Sequence, residues 1–248
     1  VYEKGYPYAM CVDNDAMLDE EVVGNLYQFL ETHKEAGMAG AKVYHLEAPD
    51  YVQQFGQKID FRNFCTEVHY FNALEDGTMY VDSVAACSLM VRRSVIDCIG
   101  LMPEENFLYW DDTEWCYLCN RAGWRVASVG SAKALHAMGA KKEIVNTFPT
   151  YYAWRNWIVF FAKYAKEEDL GRMAECFLSA LFEHVYEGMH TGNQNRMKTV
   201  MLAYDDAIHG VMGKAGENRI FDLDFNVVPY QKLLEGKKKI YIEEYGYL

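Results

Sequence analysis

Two aspartates one residue apart, Asp13 and Asp15 in Asp13-Asn14-Asp15, directly follow the apolar run Tyr8 to Val12. Residues two apart on an extended chain project to the same side, so the pair can hold one hard divalent cation. Mg²⁺ and Mn²⁺ take one or two carboxylates from protein and fill their other positions with substrate phosphate and water. The same tripeptide is also ordinary turn chemistry, because Asp and Asn bond their own backbone. A second acidic group, Trp110-Asp111-Asp112-Thr113-Glu114, stands where a helix is expected to start. There Asp111 or Asp112 could be an N-cap, and Glu114 a favourable first-turn charge. The aromatic stretch Phe107 to Trp110 before them allows another reading, an apolar wall that raises one acid's pKa as a general base requires. His136, at the end of an expected strand, is the third element. A lone histidine is usually structural, yet a neutral imidazole could complete a site suited to Mn²⁺ or Mg²⁺ on a diphosphate.

These residues need a scaffold, and the patterning predicts an α/β one. Tyr8 to Val12 reads as a strand, preceded by a helical last turn at Val1 to Lys4 that Gly5 can cap. The run Asp19 to Ala36 has apolar residues at helical spacing (Val22, Val23, Leu26, Phe29, Leu30) with acids in its first turn. Met38 to Tyr44 reads as a buried strand, and Gly56 to Phe61 and Thr78 to Val91 as two more. Ser94 is placed to cap a short helix ending before Gly100. A helix through Arg121 stops at Gly123, and Trp124 to Val129 forms a strand. From Tyr151 the strand signals fade, giving a boundary near residue 148: an α/β domain over 1–148 and a helical region over 149–248. Amphipathic helices are expected at Tyr152 to Tyr164 and Asp169 to His190, a further helix at Asn193 to Val211, and a short terminal strand or extended tail near Ile240 to Ile242.

The formal net charge of -12 speaks against a nucleic-acid partner, whose affinity draws mainly on Lys and Arg. Seven cysteines, mostly within apolar runs, read as packing residues in a reducing, cytoplasmic setting. Cys116 and Cys119 form a CxxC without a second pair at zinc spacing, so packing is the simpler reading. No apolar run reaches the roughly 18 to 20 residues of a spanning helix.

Taken in order, the motifs resemble the second half of family-2 glycosyltransferases of the bacterial rhamnosyl- and galactofuranosyltransferase type. They are Tyr8-Ala9-Met10-Cys11-Val12-Asp13-Asn14-Asp15, Phe55-Gly56-Gln57-Lys58-Ile59-Asp60, Val81 to Cys87 running on to Arg92-Arg93, and Tyr109 to Glu114. Arg121 to Val126, His136, and Tyr151-Tyr152 with Arg155-Asn156 complete the series. The resemblance covers roughly residues 1 to 160. It implies a nucleotide-sugar-transferase (GT-A-like) mixed sheet flanked by helices, with Asp13, Asp15 and His136 as ligands of Mn²⁺ or Mg²⁺ on the donor diphosphate. It also implies Asp112 as catalytic base, with Trp110, Asp111 and Glu114 around the acceptor. The reaction would be an inverting transfer from a nucleotide-diphosphate sugar to a glycan or lipid-linked acceptor, in cell-surface polysaccharide synthesis. Such proteins carry, before the acidic strand, alternating strands and helices that hold the nucleotide base; this sequence starts at Val1, just before that strand, so tight donor binding is not expected of these residues alone.

A lipid-linked acceptor would bring the enzyme to the inner face of the cell membrane. The aromatic run Tyr151, Tyr152, Trp154, Trp157, Phe160, Phe161, with Arg155 and Lys163, is the candidate contact, and its other reading is a helix packed on the catalytic domain. Self-association is left open. Two further functions are weighed. A non-catalytic carbohydrate-binding or scaffold protein of the same fold would have no need for Asp13, Asp15, Asp112 and His136 together. A phosphoryl-transfer or hydrolytic metalloenzyme would be expected to show a Gly-rich phosphate loop, HExxH or a nucleophile elbow, none of which is present.

Overall fold

The computed structural model describes residues 4–69, 77–137 and 146–223. The expected last turn at Val1 to Lys4 falls almost wholly outside these residues, and the expected terminal strand near Ile240 entirely so.

A mixed sheet forms the centre of the first half. Its path runs β1 (Tyr8–Val12), β8 (Ser88–Arg92), β3 (Ala36–His45), β9 (Arg125–His136), β2 (Ala16–Leu18), with β4 (Ala48–Gln54) paired to β3 and β7 (Thr78–Val81) to β9. Only β3 and β9 run parallel to each other among these pairs. β3 is buried along nine of its ten residues, as a strand covered on both faces must be. On one face lies α1 (Val22–Thr32), which buries Val22, Leu26, Phe29 and Leu30 in a cluster with Ala39, Met90 and Val129. On the other lie α2 (Arg93–Ile99) and α3 (Asp111–Arg121), where Val95, Trp115, Cys116 and Cys119 pack on Met38 and Val126. A Cβ at Gly37 would come within 2.6 Å of Val95 and 2.9 Å of Cys119, so the helices approach β3 only because that residue is glycine.

The hairpin of β5 (Gln57–Asp60) and β6 (Cys65–Val68) leaves the main sheet and meets α4 (Phe148–Tyr164), α5 (Leu170–Thr191) and α6 (Gln194–Ile208). Ile59 and Phe64 share one aromatic core with Tyr151, Tyr152, Phe160, Phe161, Phe177 and Val200. Trp157 Nε1 donates to Phe64 O at 2.6 Å across that contact. The aromatic run of α4 is therefore packed inside the protein, with Tyr151, Tyr152, Phe160 and Phe161 at most 1% exposed. This corrects the reading of that run as a bilayer contact, and burial of the rings is the reason. Among the described residues no helix is long and apolar enough to cross a membrane.

Several expected boundaries shift. The helix expected from Asp19 begins at Val22, without acids in its first turn. Ser94 does not cap α2; the helix starts at Arg93 with Arg92 in extended conformation before it. Thr78 to Val91 breaks into β7 and β8 around the turn at residues 82–87. Strands β2, β4 and β6 were not expected: β2 has three residues, and β4 contains Pro49 and has no buried residue. All seven cysteines are free, and Cys116 and Cys119 are wholly buried.

Candidate functional site

The chain brings Asp13, Asp15 and His136 together. β1 ends at Val12, and the acidic turn leads into β2, whose Ala16 pairs with His136 at the end of β9. Ala137 N also donates to Asp15 O at 3.1 Å, locking the end of β9 against the turn. His136 Nε2 lies 3.2 Å from Asp15 Oδ1 and 3.7 Å from Asp13 Oδ2. One ligand atom from each of the three lies within 4.8 Å of the others, with both carboxylates exposed and the imidazole half-buried. Two hard oxygens and one imidazole, open on the solvent side, fit a hard divalent cation that keeps sites for phosphate oxygens and water. Burial, reinforced by Asp15 and Asp111 and opposed by His136, holds the Asp13 carboxyl above the usual range.

Behind His136 stands Gln53, whose Oε1 lies 3.0 Å from His136 Nδ1. An amide oxygen only accepts, so Nδ1 carries the hydrogen, which leaves Nε2, on the side of the carboxylates, as the ring nitrogen that would ligate a metal. Gln53 carried no legible signal, because β4 alternates neither in polarity nor in burial.

A cleft of about 410 Å³ opens beside this triad, bordered by Asp13, Gln57, Tyr109, Trp110, Asp112 and His136 among others. Asp112 sits at the second position of α3. Its Oδ2 accepts from Ala86 N at 3.1 Å, and its Oδ1 from Thr113 N at 2.6 Å and Thr113 Oγ1 at 3.3 Å. Burial, with the neighbouring Asp111 charge adding, raises its pKa to about 6 despite those three bonds. Asp111 is raised as well, by burial. Neither acid is the N-cap. That position belongs to Trp110, in left-handed conformation (φ 66°) and without a side-chain cap bond. Phe107 (φ 64°) and Tyr109 (φ 60°) are also left-handed. Each such residue costs roughly 1–2 kcal/mol, so the turn before α3 is strained.

Glu114 does not border the cleft. It is 2% exposed, and its carboxylate accepts from Asn106 Nδ2 (2.8 Å), Lys163 Nζ (2.7 Å) and the Tyr164 hydroxyl (2.6 Å). The expectation of Glu114 at the acceptor is corrected: its carboxylate ties α3 to Asn106, just before the turn, and to Lys163 and Tyr164 of α4. Burial and the Glu114 bond push the Tyr164 hydroxyl far above its ordinary range. Arg155 and Asn156, a polar pair in an aromatic helix, are buried at 0% and 1% and bond the same turn. A charge inside so apolar a run was the legible signal for them; their target was not.

A mixed sheet flanked by helices, with an acid-acid-imidazole cluster at strand ends that could hold a metal ion beside an acid-lined cleft, is consistent with a GT-A-like fold. Residues 7–156 match the family described as glycosyltransferase like family 2, and the chain belongs to that family. It is a glycosyltransferase. It is similar to the dTDP-rhamnosyl transferase RfbF of Shigella flexneri, 26% identical over an alignment of 220 positions that covers 85% of this chain and 72% of that protein. Among solved structures, the crystal structure of A197 from STIV aligns with a TM-score of 0.34 and 14% identity, covering 54% of this chain and 60% of that one.

Proposed function

We propose that the chain performs the chemical step of an inverting, metal-dependent transfer of a sugar from a nucleotide-diphosphate donor to a hydroxyl of a glycan or lipid-linked acceptor, in the synthesis of cell-surface polysaccharide. The observation that carries this reading is the placement of Asp112: a carboxylate with pKa about 6, bordering the same cleft as Asp13 and His136. Near neutral pH such a group is mostly ionised and still basic enough to take a proton. Asp112 removes the proton of the acceptor hydroxyl, the freed oxygen attacks the anomeric carbon, and the nucleoside diphosphate departs on the far side. One displacement inverts the configuration. A divalent cation bound by Asp13, Asp15 and His136 would supply positive charge to the leaving diphosphate. Gln53 orients His136 for that task, while Tyr109 and Trp110 form the wall beside the base. Asp111, next to Asp112, supports acceptor binding. The similarity to RfbF makes dTDP-rhamnose the first donor to assay. Work on a lipid-linked acceptor would place the enzyme at the cytoplasmic face of the membrane.

Asp112→Asn tests the assignment, since the amide keeps the shape and loses the basicity. Turnover of the full chain should fall roughly 10² to 10⁴-fold, the usual worth of a positioned base, with donor affinity near that of the parent. Asp111→Asn should act mainly on the acceptor's apparent affinity. Near wild-type turnover of Asp112→Asn, with Asp111→Asn inactive, would transpose the two roles.

A further inference from the structure

The turn that delivers Asp112 is held from outside its own element. Asn156 on α4 points Nδ2 at three carbonyls, those of Asn106 (2.8 Å), Leu108 (2.8 Å) and Tyr109 (3.0 Å). Its Oδ1 accepts from Arg155 Nε at 2.9 Å, which fixes which end of the amide faces the turn. Arg155 Nη2 reaches Asn106 O as well, at 3.0 Å, and Nη1 is anchored on Gly213 O at 2.7 Å. Two amide hydrogens thus serve three carbonyls, around a stretch in which Phe107, Tyr109 and Trp110 all have positive φ. Such a backbone persists only where its surroundings over-determine it. The next two residues of the chain are Asp111 and Asp112.

We propose that Asn156, oriented by Arg155, is a positioning residue for glycosyl transfer: it holds the left-handed turn at residues 107–110 in the one shape that sets Asp112 and the Tyr109–Trp110 wall against the acceptor. Neither side chain touches substrate. The proposal rests on the assignment of Asp112 as base. Its mechanism is geometric, because relaxing the turn rotates the start of α3 and moves the carboxylate away from Ala86 N, the backbone group that holds it from across the cleft.

The test compares Asn156→Ser, Arg155→Lys and Asp112→Asn in the full chain, with kcat against pH, Mn²⁺ affinity by electron paramagnetic resonance, and near-UV circular dichroism. Asn156→Ser should lower kcat by about 10 to 100-fold, the scale on which small misplacements act, while Mn²⁺ affinity stays within about twofold. The acid limb of its kcat profile should move from that of the parent, which general loosening remote from Asp112 would not produce. Added to Asp112→Asn, the substitution should cost little further, since residues acting as one unit are non-additive. Arg155→Lys should shift the same readouts in the same direction and serves if Asn156→Ser does not fold. Unchanged kcat and pH profile in both variants, or full additivity with Asp112→Asn, overturns the positioning role. Loss of Mn²⁺ affinity in parallel with kcat overturns it too, as a merely structural effect. Wild-type turnover of Asp112→Asn would instead remove the base assignment on which it rests.

Discussion

Asp112 carries opposed demands. Folding raises its pKa from the ordinary aspartate value of 3.8 to about 6, so folding favours the protonated form. The stability this lends is complete below the ordinary aspartate range and is lost as pH rises through about 6. As the proposed base, Asp112 would act in the ionised form that folding disfavours. Turnover should therefore fall as pH drops below about 6, with a slope approaching tenfold per pH unit, measured as kcat with saturating donor and acceptor. Asp112→Asn cannot ionise, so its stability relative to the parent should shift in its favour between pH 4 and pH 7.5, by no more than about 3 kcal/mol. Thermal melts at pH 4 and pH 7.5 check this; a difference between variant and parent that is the same at both pH values would contradict it. At the neighbouring triad, Gln53→Leu removes the acceptor that fixes the His136 ring. Mn²⁺ affinity should weaken roughly 10 to 100-fold, the ordinary effect of losing such a partner, and titration calorimetry reads it directly.

At the scale of elements, the site is assembled by three strand ends and one helix start. The pairing of Ala16 with His136 closes the distance between β1 and the end of β9. The parallel pairing of β3 with β9 sets His45 beside His136, and β4 folding back on β3 then brings Gln53 into reach. α2 and the C-terminal half of α3 pack close to the sheet, and that closeness depends on Gly37 under Val95, Cys119 and Trp124. Gly37→Ala should destabilise by about 1–3 kcal/mol through overpacking, seen as a lower urea midpoint with unchanged slope. A neutral result would mean that α2 and α3 can move off the sheet without penalty.

For the whole molecule, the aromatic core is the joint. Phe161 meets Phe61 and Phe64 from the hairpin side, Trp110 from the acidic turn and Phe160 from its own helix. Phe161→Ala should cost about 3–5 kcal/mol and lower the melting temperature of the sheet and the helices together. Coincident far-UV and near-UV transitions are the expected observation, and a helical transition separating from that of the sheet would contradict it. The net charge of -12 adds self-repulsion and opposes nucleic-acid or anionic-lipid binding over broad surfaces.

Local chemistry made much of this protein legible before folding. Acid pairs after an apolar strand, carboxylates at a helix start behind aromatic residues, and a histidine ending a strand are statements about neighbours in the chain. Helical periodicity located α1, α4 and α5 to within about four residues, because burying one face of a helix leaves a period of 3.6. What the tertiary structure alone decided were the long-range pairings. No local pattern says that Asp15 and His136 meet, since three-residue β2 carries no periodicity and register is set by backbone bonding to β9. Nor does it say that Glu114 turns into a buried network with Lys163 and Tyr164, 49 and 50 residues away, while Asp112 faces the cleft. The same holds for Asn156, whose three carbonyl partners lie 47 to 50 residues back along the chain. Side-chain type limits the bonds a residue can make, and only the folded backbone determines which partner is within reach.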